Sequence, residues 1–185
     1  MKDELRKKYL DIRNNITNRY KKDNLIFNKI INNEMIRNAK TILIYVSYRN
    51  EVDTLKIVDF FLNKKDIAVP KVKDGKIYFY YIKSMDELKK GNFNILEPIT
   101  NKIVSDFSNC ISITPGICFS SNMYRIGYGG GYYDRFFQDK KIYKIGITYE
   151  ECMVEYIDND KYDIAMDEII TDKRVIKKRR KSVNN

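Results

Sequence analysis

A chain of 185 residues, 43% of them hydrophobic, is long enough to bury one ordinary core without disulfide or metal staples. Three cysteines without a CxxC pair argue against a disulfide framework or structural zinc, and the absence of histidine removes the usual general base, the commonest metal ligand and every Ser-His or Cys-His pair. The formal charge of +10 sits largely at one end: Asp172 to Asn185 holds seven Lys or Arg against one Asp, leaving +4 on the first 171 residues.

The N-terminus, Met1 to Lys8, is charged where a signal peptide needs an apolar core, and no apolar run approaches the roughly 20 residues that span a bilayer. The expectation is a soluble, cytoplasmic protein. Residues 2 to 21 read as a charged helix with Leu5, Tyr9, Ile12, Ile16 and Tyr20 on one face. Asn24 is placed to cap a second helix with Leu25, Phe27, Ile30, Ile31 and Met35 inward. Thr41 to Val46 is a β-branched run suited to a buried parallel strand. Asp53 caps the next helix, buried through Leu55, Ile57, Val58, Phe61 and Leu62, and Ile67 to Pro70 is a second strand. Lys76 to Ile82 reads as a third strand near an edge, Ser84 to Gly91 as a short helix, and Asn94 to Pro98 as an extended connection.

Cys110 to Thr114, closed by Pro115-Gly116, is a fourth strand. Gly131 to Gln138 is expected to be helical, Tyr143 to Thr148 a fifth strand, and Glu168 to Ile170 a short last one. Alternating strands and helices predict a single α/β domain over residues 1–185, a three-layer α/β/α arrangement around a mostly parallel sheet. Ligands in such sheets sit beyond the carboxyl ends of the strands, where the loops at Ser47 to Glu51 and Pro115 to Gly131 emerge. The basic tail, 172–185, includes Lys177-Lys178-Arg179-Arg180-Lys181 and reads as a solvated, frayed terminus; gripping nucleic acid is the alternative.

Between the fourth strand and the helix lies Arg125-Ile126-Gly127-Tyr128-Gly129-Gly130-Gly131-Tyr132-Tyr133-Asp134-Arg135. Its four glycines let backbone N–H groups approach an anion and permit positive φ. Arg125 and Arg135 bracket it with positive charge, and Asp134 offers a hard oxygen ligand for a cation accompanying a nucleotide. A dinucleotide fingerprint would need glycine at Tyr132, and a Walker A loop would end in Gly-Lys-Ser or Gly-Lys-Thr. From the residues alone this is a phosphate cradle of a less common type; the other reading is a tight glycine turn carrying surface tyrosines.

This stretch resembles the glycine loop of the 5-formyltetrahydrofolate cyclo-ligase family, also called 5,10-methenyltetrahydrofolate synthetases. The resemblance extends to Lys2 and Arg6 in a Lys-x-x-x-Arg pattern, Glu51-Val52-Asp53-Thr54, Val69-Pro70-Lys71-Val72, Phe93 to Pro98, and Tyr162-Asp163 with Asp167 to Thr171. Ser120 stands where the family has Asp after Phe, and Tyr162 where it has His. The resemblance implies ATP- and Mg²⁺-dependent closure of 5-formyltetrahydrofolate to 5,10-methenyltetrahydrofolate. It further implies that Lys2, Arg6, Arg125 and the loop Gly127, Tyr128, Gly129, Gly130, Gly131, Tyr132 and Tyr133 hold ATP. Asp134 and Asp163 match the metal ligands. Val46 and Glu51, with Tyr128, Gly129, Gly130, Gly131 and Tyr132, match folate-contacting positions, and Arg125 and Tyr133 face the chemistry. A monomer acting without nucleic acid or membrane is expected. The rivals are a nucleic-acid-binding module using the tail and the tyrosines, and another ATP-dependent enzyme on the same scaffold.

Overall fold

The structure is a computed structural model that describes residues 1–180. The chain forms α1 (Lys2–Asn14), α2 (Arg19–Ile31), α3 (Glu34–Asn38), β1 (Thr41–Ile44), α4 (Leu55–Phe61), β2 (Asp66–Lys73) and β3 (Lys76–Ile82). Then follow β4 (Leu88–Lys90), β5 (Leu96–Pro98), β6 (Cys110–Thr114), β7 (Cys118–Ser120), β8 (Arg125–Ile126) and α5 (Tyr132–Phe137). The last elements are β9 (Tyr143–Ile147), β10 (Met153–Val154), β11 (Glu168–Ile170) and β12 (Val175–Lys177).

The central sheet runs β12-β11-β9-β6-β1-β2-β3. Its five inner strands are parallel, and the two edge strands, β12 and β3, are antiparallel to their neighbours. This is the mixed α/β, mostly parallel sheet expected. Period-two alternation divides the strands between two cores. On one face Ile42, Ile44, Ile67, Ile111, Ile113 and Ile145 pack against α2, α3 and α4. On the other Leu43, Ala68, Phe79 and Ile169 meet Phe136 and Phe137 of α5 and Phe119 of β7. That second layer is completed by a small sheet ordered β10-β7-β8, onto which α1 packs through Tyr9.

Several expected boundaries move, for local reasons. The helix expected over 2–21 ends at Asn14, and a second begins at Arg19, because Asn14-Asn15-Ile16-Thr17-Asn18 combines poor helix formers and Asn18 takes the left-handed conformation at φ 56°. Asn24 is therefore inside α2 rather than its cap, Tyr20 is exposed, and Met35 belongs to α3, which Asn33 caps by accepting from the Ile36 amide at 3.1 Å. Thr54, not Asp53, is the N-cap of α4; Asp53 stands one residue earlier and accepts from the Leu55 amide at 3.0 Å, closing a local turn ahead of the helix. β1 stops at Ile44, so Tyr45 and Val46 leave the sheet while staying buried.

β2 runs on to Lys73 and pairs with β3 through Asp74-Gly75, both at positive φ, which is the turn chemistry of a two-residue hairpin. The helix expected over Ser84 to Gly91 is a single 3₁₀ turn, Met85–Glu87, followed by β4 paired to β5. Ser84 accepts from the Asp86 amide and Glu87 accepts from the Lys83 amide, so the segment closes on itself before a helix can propagate.

The tail is not frayed where it begins. Asp172 is buried and accepts from the Glu150 amide at 2.8 Å, and β12 pairs with β11. Lys177 Nζ lies 3.9 Å from the buried Glu168 carboxylate, and the Lys178 amide donates to Asp167 O at 2.9 Å. Lys181, the last residue of the basic run, lies outside the described residues. Deleting 172–185 is thus expected to lower Tm, whereas deleting 179–185 leaves it unchanged; equal Tm values for the two truncations in a thermal melt would contradict the role of β12.

Candidate functional site

The strand order reverses between β1 and β6, because the chain moves from β1 outward to β2 on one side and later to β6 on the other. At such a switch point the loops leaving the two strands diverge and open a crevice. Here the crevice is a cleft of about 490 Å³, lined by Tyr45, Val46 and Glu51 after β1, by Pro115 and Gly116 after β6, and by the glycine loop. Lys2 and Arg6 from α1 and Asp163 from the segment before β11 close it. Every residue that the resemblance links to ATP, folate or metal, Asp134 included, reaches one cavity, whereas Arg135 lies outside it and donates to Gly130 O at 2.7 Å and Gly75 O at 3.3 Å.

The glycine loop joins β8 to α5. Gly129 at φ +103° and Gly131 at φ +66° adopt backbone conformations that side chains disfavour. Gly127 O accepts from Arg6 Nε at 2.8 Å, which ties the loop to α1. Arg6 Nη1 also donates to Asp3. Lys2 Nζ donates to Asp163 Oδ2 at 2.6 Å, and that hydrogen bond raises the Lys2 pKa, keeping the ammonium charged beside the cleft.

Of the cations that line the cleft, Arg125 is the most enclosed, with a side chain 5% exposed. Its guanidinium lies 5.3 Å from the Tyr133 ring centroid, Nη2 is 3.7 Å from Asp134 Oδ1, and Nη1 donates to Pro115 O at 3.4 Å. Burial pulls its pKa below the ordinary value, opposed by Asp134. Two buried polar atoms are answered by no partner among the described residues: Arg125 Nε and the Tyr133 hydroxyl. Burial also pushes the Tyr133 hydroxyl far up, so it stays a protonated donor at neutral pH. Buried donors without acceptors are costly, and side by side in a cleft they suit an oxygen-rich ligand.

At the opposite wall Glu51 Oε2 accepts from the Tyr48 amide at 2.8 Å, and Oε1 accepts from the Tyr128 hydroxyl at 3.1 Å. Burial raises the Glu51 pKa, while the Tyr48 amide, Arg13 and Tyr128 act against the rise. The carboxylate presents acceptors to anything with a donor-rich edge.

The segments carrying the two remaining carboxylates, Asp134 and Asp163, are tied together by the Ile164 amide, which donates to Asp134 Oδ1 at 3.2 Å. Asp134 Oδ2 and Asp163 Oδ1 make no hydrogen bond among the described residues, so each retains an oxygen for a cation. No cluster of three or more His, Cys, Asp or Glu stands anywhere among the described residues. A hard cation held there would need phosphate oxygens and water to complete its shell beside one oxygen of each carboxylate. Tyr162, which replaces the family's His, is exposed, so the position of Asp163 does not depend on its ring. Ser120, the last residue of β7, is buried, bonded to Asn122 and to Tyr124 O, and takes no part in the cleft.

Sequence reasoning missed Arg13 and the wall made by Lys71, Val72, Ile77 and Leu96. Arg13 is 4% exposed and donates to the Tyr128 hydroxyl at 2.6 Å and to Asn50 Oδ1 at 2.8 Å. The available signal was its spacing: residues 2, 6 and 13 fall on one stripe of a helix. No helix among the described residues is long and apolar enough to cross a membrane.

The sequence matches the 5-formyltetrahydrofolate cyclo-ligase family over residues 1–172. A 5-formyltetrahydrofolate cyclo-ligase of Mycoplasma genitalium is 32% identical over 135 residues, covering 71% of this chain and 72% of that protein. The NMR structure of Aquifex aeolicus 5,10-methenyltetrahydrofolate synthetase superposes with a TM-score of 0.88 at 29% identity, over 100% of this chain and 96% of that one. A 5,10-methenyltetrahydrofolate synthetase from Mycoplasma pneumoniae gives a TM-score of 0.73 at 26% identity, over 92% of this chain and 98% of that one. With its glycine loop, its switch-point cleft and this match along nearly its whole length, the chain is a ligase of the 5-formyltetrahydrofolate cyclo-ligase family.

Proposed function

We propose that the protein converts 5-formyltetrahydrofolate to 5,10-methenyltetrahydrofolate, using ATP and magnesium and releasing ADP and phosphate. The observation that carries this reading is the pair of unanswered buried donors, Arg125 Nε and the Tyr133 hydroxyl, beside the glycine loop and two carboxylates with free oxygens. In this reaction the amide oxygen of the formyl group takes the γ-phosphoryl group of ATP. N10 then attacks the activated formyl carbon and gives up its proton to water or the departing phosphate, whose loss leaves the methenyl bridge. The chemistry needs alignment and charge neutralisation more than a protein nucleophile, so a chain without histidine can perform it.

In this reading Lys2, Arg6, Arg125 and the amides of the glycine loop hold the phosphates, while Glu51 accepts from the amino and ring N–H groups of the pterin. Val46 and the rings of Tyr128 and Tyr132 line the folate, and Tyr133 donates towards the reacting oxygen. Asp134 and Asp163 would hold magnesium, which when bound neutralises phosphate charge. The same reading takes the protein as a cytoplasmic monomer that needs no nucleic acid.

The test is absorbance in the methenyl-folate band with purified protein, 5-formyltetrahydrofolate, Mg²⁺ and ATP. Growth of the band is expected only with ATP. Asp134→Asn should lower the rate roughly 100-fold, with partial recovery at high magnesium. Folded protein that binds ATP yet produces no band would end the cyclo-ligase reading.

Glu51→Gln carries a two-sided expectation. The folate KM rises roughly tenfold from the loss of a charge-assisted acceptor while the ATP KM stays near its original value. Tm at neutral pH rises slightly, because a carboxylate whose pKa is raised on folding opposes folding once ionised. That opposition is absent below the ordinary value of 4.5 and sets in as pH climbs past it to the raised value, so the Tm gain must vanish in acid. Thermal melts across pH together with both KM values check this, and an unchanged folate KM would remove Glu51 from the folate site.

A further inference from the structure

Arg13 lies at the far end of the helix that carries Lys2 and Arg6, yet its side chain turns inward and is nearly sealed from solvent. Nε donates to Asn50 Oδ1 at 2.8 Å, Nη1 to Gly116 O at 3.4 Å, and Nη2 to the Tyr128 hydroxyl at 2.6 Å. Asn50 is clamped in turn: its backbone oxygen accepts from Arg19 Nη1 at 2.6 Å, and its amide donates to Asn14. The Arg13 guanidinium thus joins α1, the loop after β1, the loop after β6 and the glycine loop.

The polarity of this network follows from donor chemistry. A guanidinium only donates, so the Tyr128 oxygen must accept from Arg13. The Tyr128 proton is then free to go onward, and the partner 3.1 Å away is Glu51 Oε1. An ionised carboxylate only accepts, so the chain Arg13 to Tyr128 to Glu51 is consistent with Glu51 charged and disfavours its protonated form. Although 59% of Tyr128 is exposed, its hydroxyl end is the part held between the two.

We propose that Arg13 is a positioning residue for the folate site: through the Tyr128 hydroxyl it holds Glu51 as a carboxylate and pins the glycine loop across the cleft. The consequence for folate rests on the function proposed above; the consequence for Glu51 does not. The titratable or charged groups around Glu51 come from four elements: Arg13 on α1, Tyr45 after β1, Tyr128 on the glycine loop and Tyr133 on α5. Among these Arg13 is the cation; Arg125, also in the cleft, faces Asp134 instead. Removing Arg13 therefore takes away the positive charge that favours ionised Glu51. It also frees the Tyr128 hydroxyl to rotate, so the loop loses a fixed point independent of the Arg6 tie to Gly127.

The test is the titration of the Glu51 side-chain carboxyl by ¹³C NMR in ligand-free protein, comparing the native chain with Arg13→Gln and Tyr128→Phe. Both variants should move the Glu51 midpoint to higher pH, by about one pH unit for Arg13→Gln, as expected for loss of a nearby opposite charge. In cyclisation assays Arg13→Gln should raise the folate KM roughly tenfold with a smaller change in the ATP KM, and Arg13→Lys should recover part of the loss. A Glu51 midpoint that stays in place while Tm falls would make Arg13 a purely structural residue and overturn the proposal. Tyr128→Phe, at a largely exposed ring, keeps the question open to test should Arg13→Gln fail to fold, and an unmoved midpoint there overturns the relay. Absence of cyclisation by the native chain, with the Glu51 midpoint still shifting in the variants, would overturn the folate part and leave the relay standing.

Discussion

Arg125→Met is expected to lower kcat by about 10²–10³-fold with little loss of stability, the magnitude typical of removing one preorganised donor from developing charge. Arg125 is nearly enclosed, its Nε has no acceptor among the described residues, and its neighbours are the Tyr133 ring, Asp134 and Pro115 O. A cation so placed is held at a cost of desolvation that Asp134, at 3.7 Å, only partly offsets. The methionine removes that cost and fills a similar volume, while Asp134, 23% exposed at its side chain, can turn to water. Tm should therefore hold or rise while turnover collapses. Arg125→Lys should recover little, because an ammonium has no planar fork to address the transferring group and the loop together. Turnover within threefold of the native chain would show that the phosphoryl group travels elsewhere.

Phe119→Ala is expected to destabilise the fold by about 3–5 kcal/mol, a large share of the roughly 5–15 kcal/mol that holds a domain together. Phe119 is fully buried in β7, and two glycines are shaped around its ring. A Cβ on Gly146 in β9 would stand 2.2 Å from it, and one on Gly116, which lines the cleft, 2.7 Å. The ring thus sits under the central sheet and under the loop that opens the site. Truncation leaves a cavity that two strands and a turn cannot close by small shifts, since both glycine backbones are fixed by pairing or by the β6 to β7 turn. Urea titration should show a lower midpoint with an unchanged slope, and loss of activity should track unfolding rather than chemistry. A change below about 1 kcal/mol would mean that the ring is less central than its burial shows.

How far the sequence could be read depended on how local each interaction is. The apolar β-branched runs at Thr41, Cys110 and Glu168 became inner strands because a strand buried on both faces has few ways to be anything else. The glycine loop was legible because its composition is dictated by backbone conformation, as Gly129 and Gly131 show. The Asp74-Gly75 hairpin went unread, although both residues take positive φ and the antiparallel pairing of β2 with β3 follows from that turn. By contrast, the two-residue strand Arg125–Ile126 and the pairings of β7 and β10 have no periodic signal; they exist because loop segments found partners beneath α1.

By itself the sequence determined the alternation of strands and helices, the chemistry on offer in a chain without histidine, and the place of the glycine loop. Those properties are written in contiguous residues. Only the tertiary structure decided that Lys2, Glu51, Arg125, Asp134 and Asp163 share one cleft, since the strand order reverses between β1 and β6 and gathers loops distant in the chain. The same holds for Arg13. In the sequence it is one cation on a highly charged helix, set apart only by sharing a stripe with Lys2 and Arg6, and only the packing of α1 against Asn50, Gly116 and Tyr128 turns its charge inward.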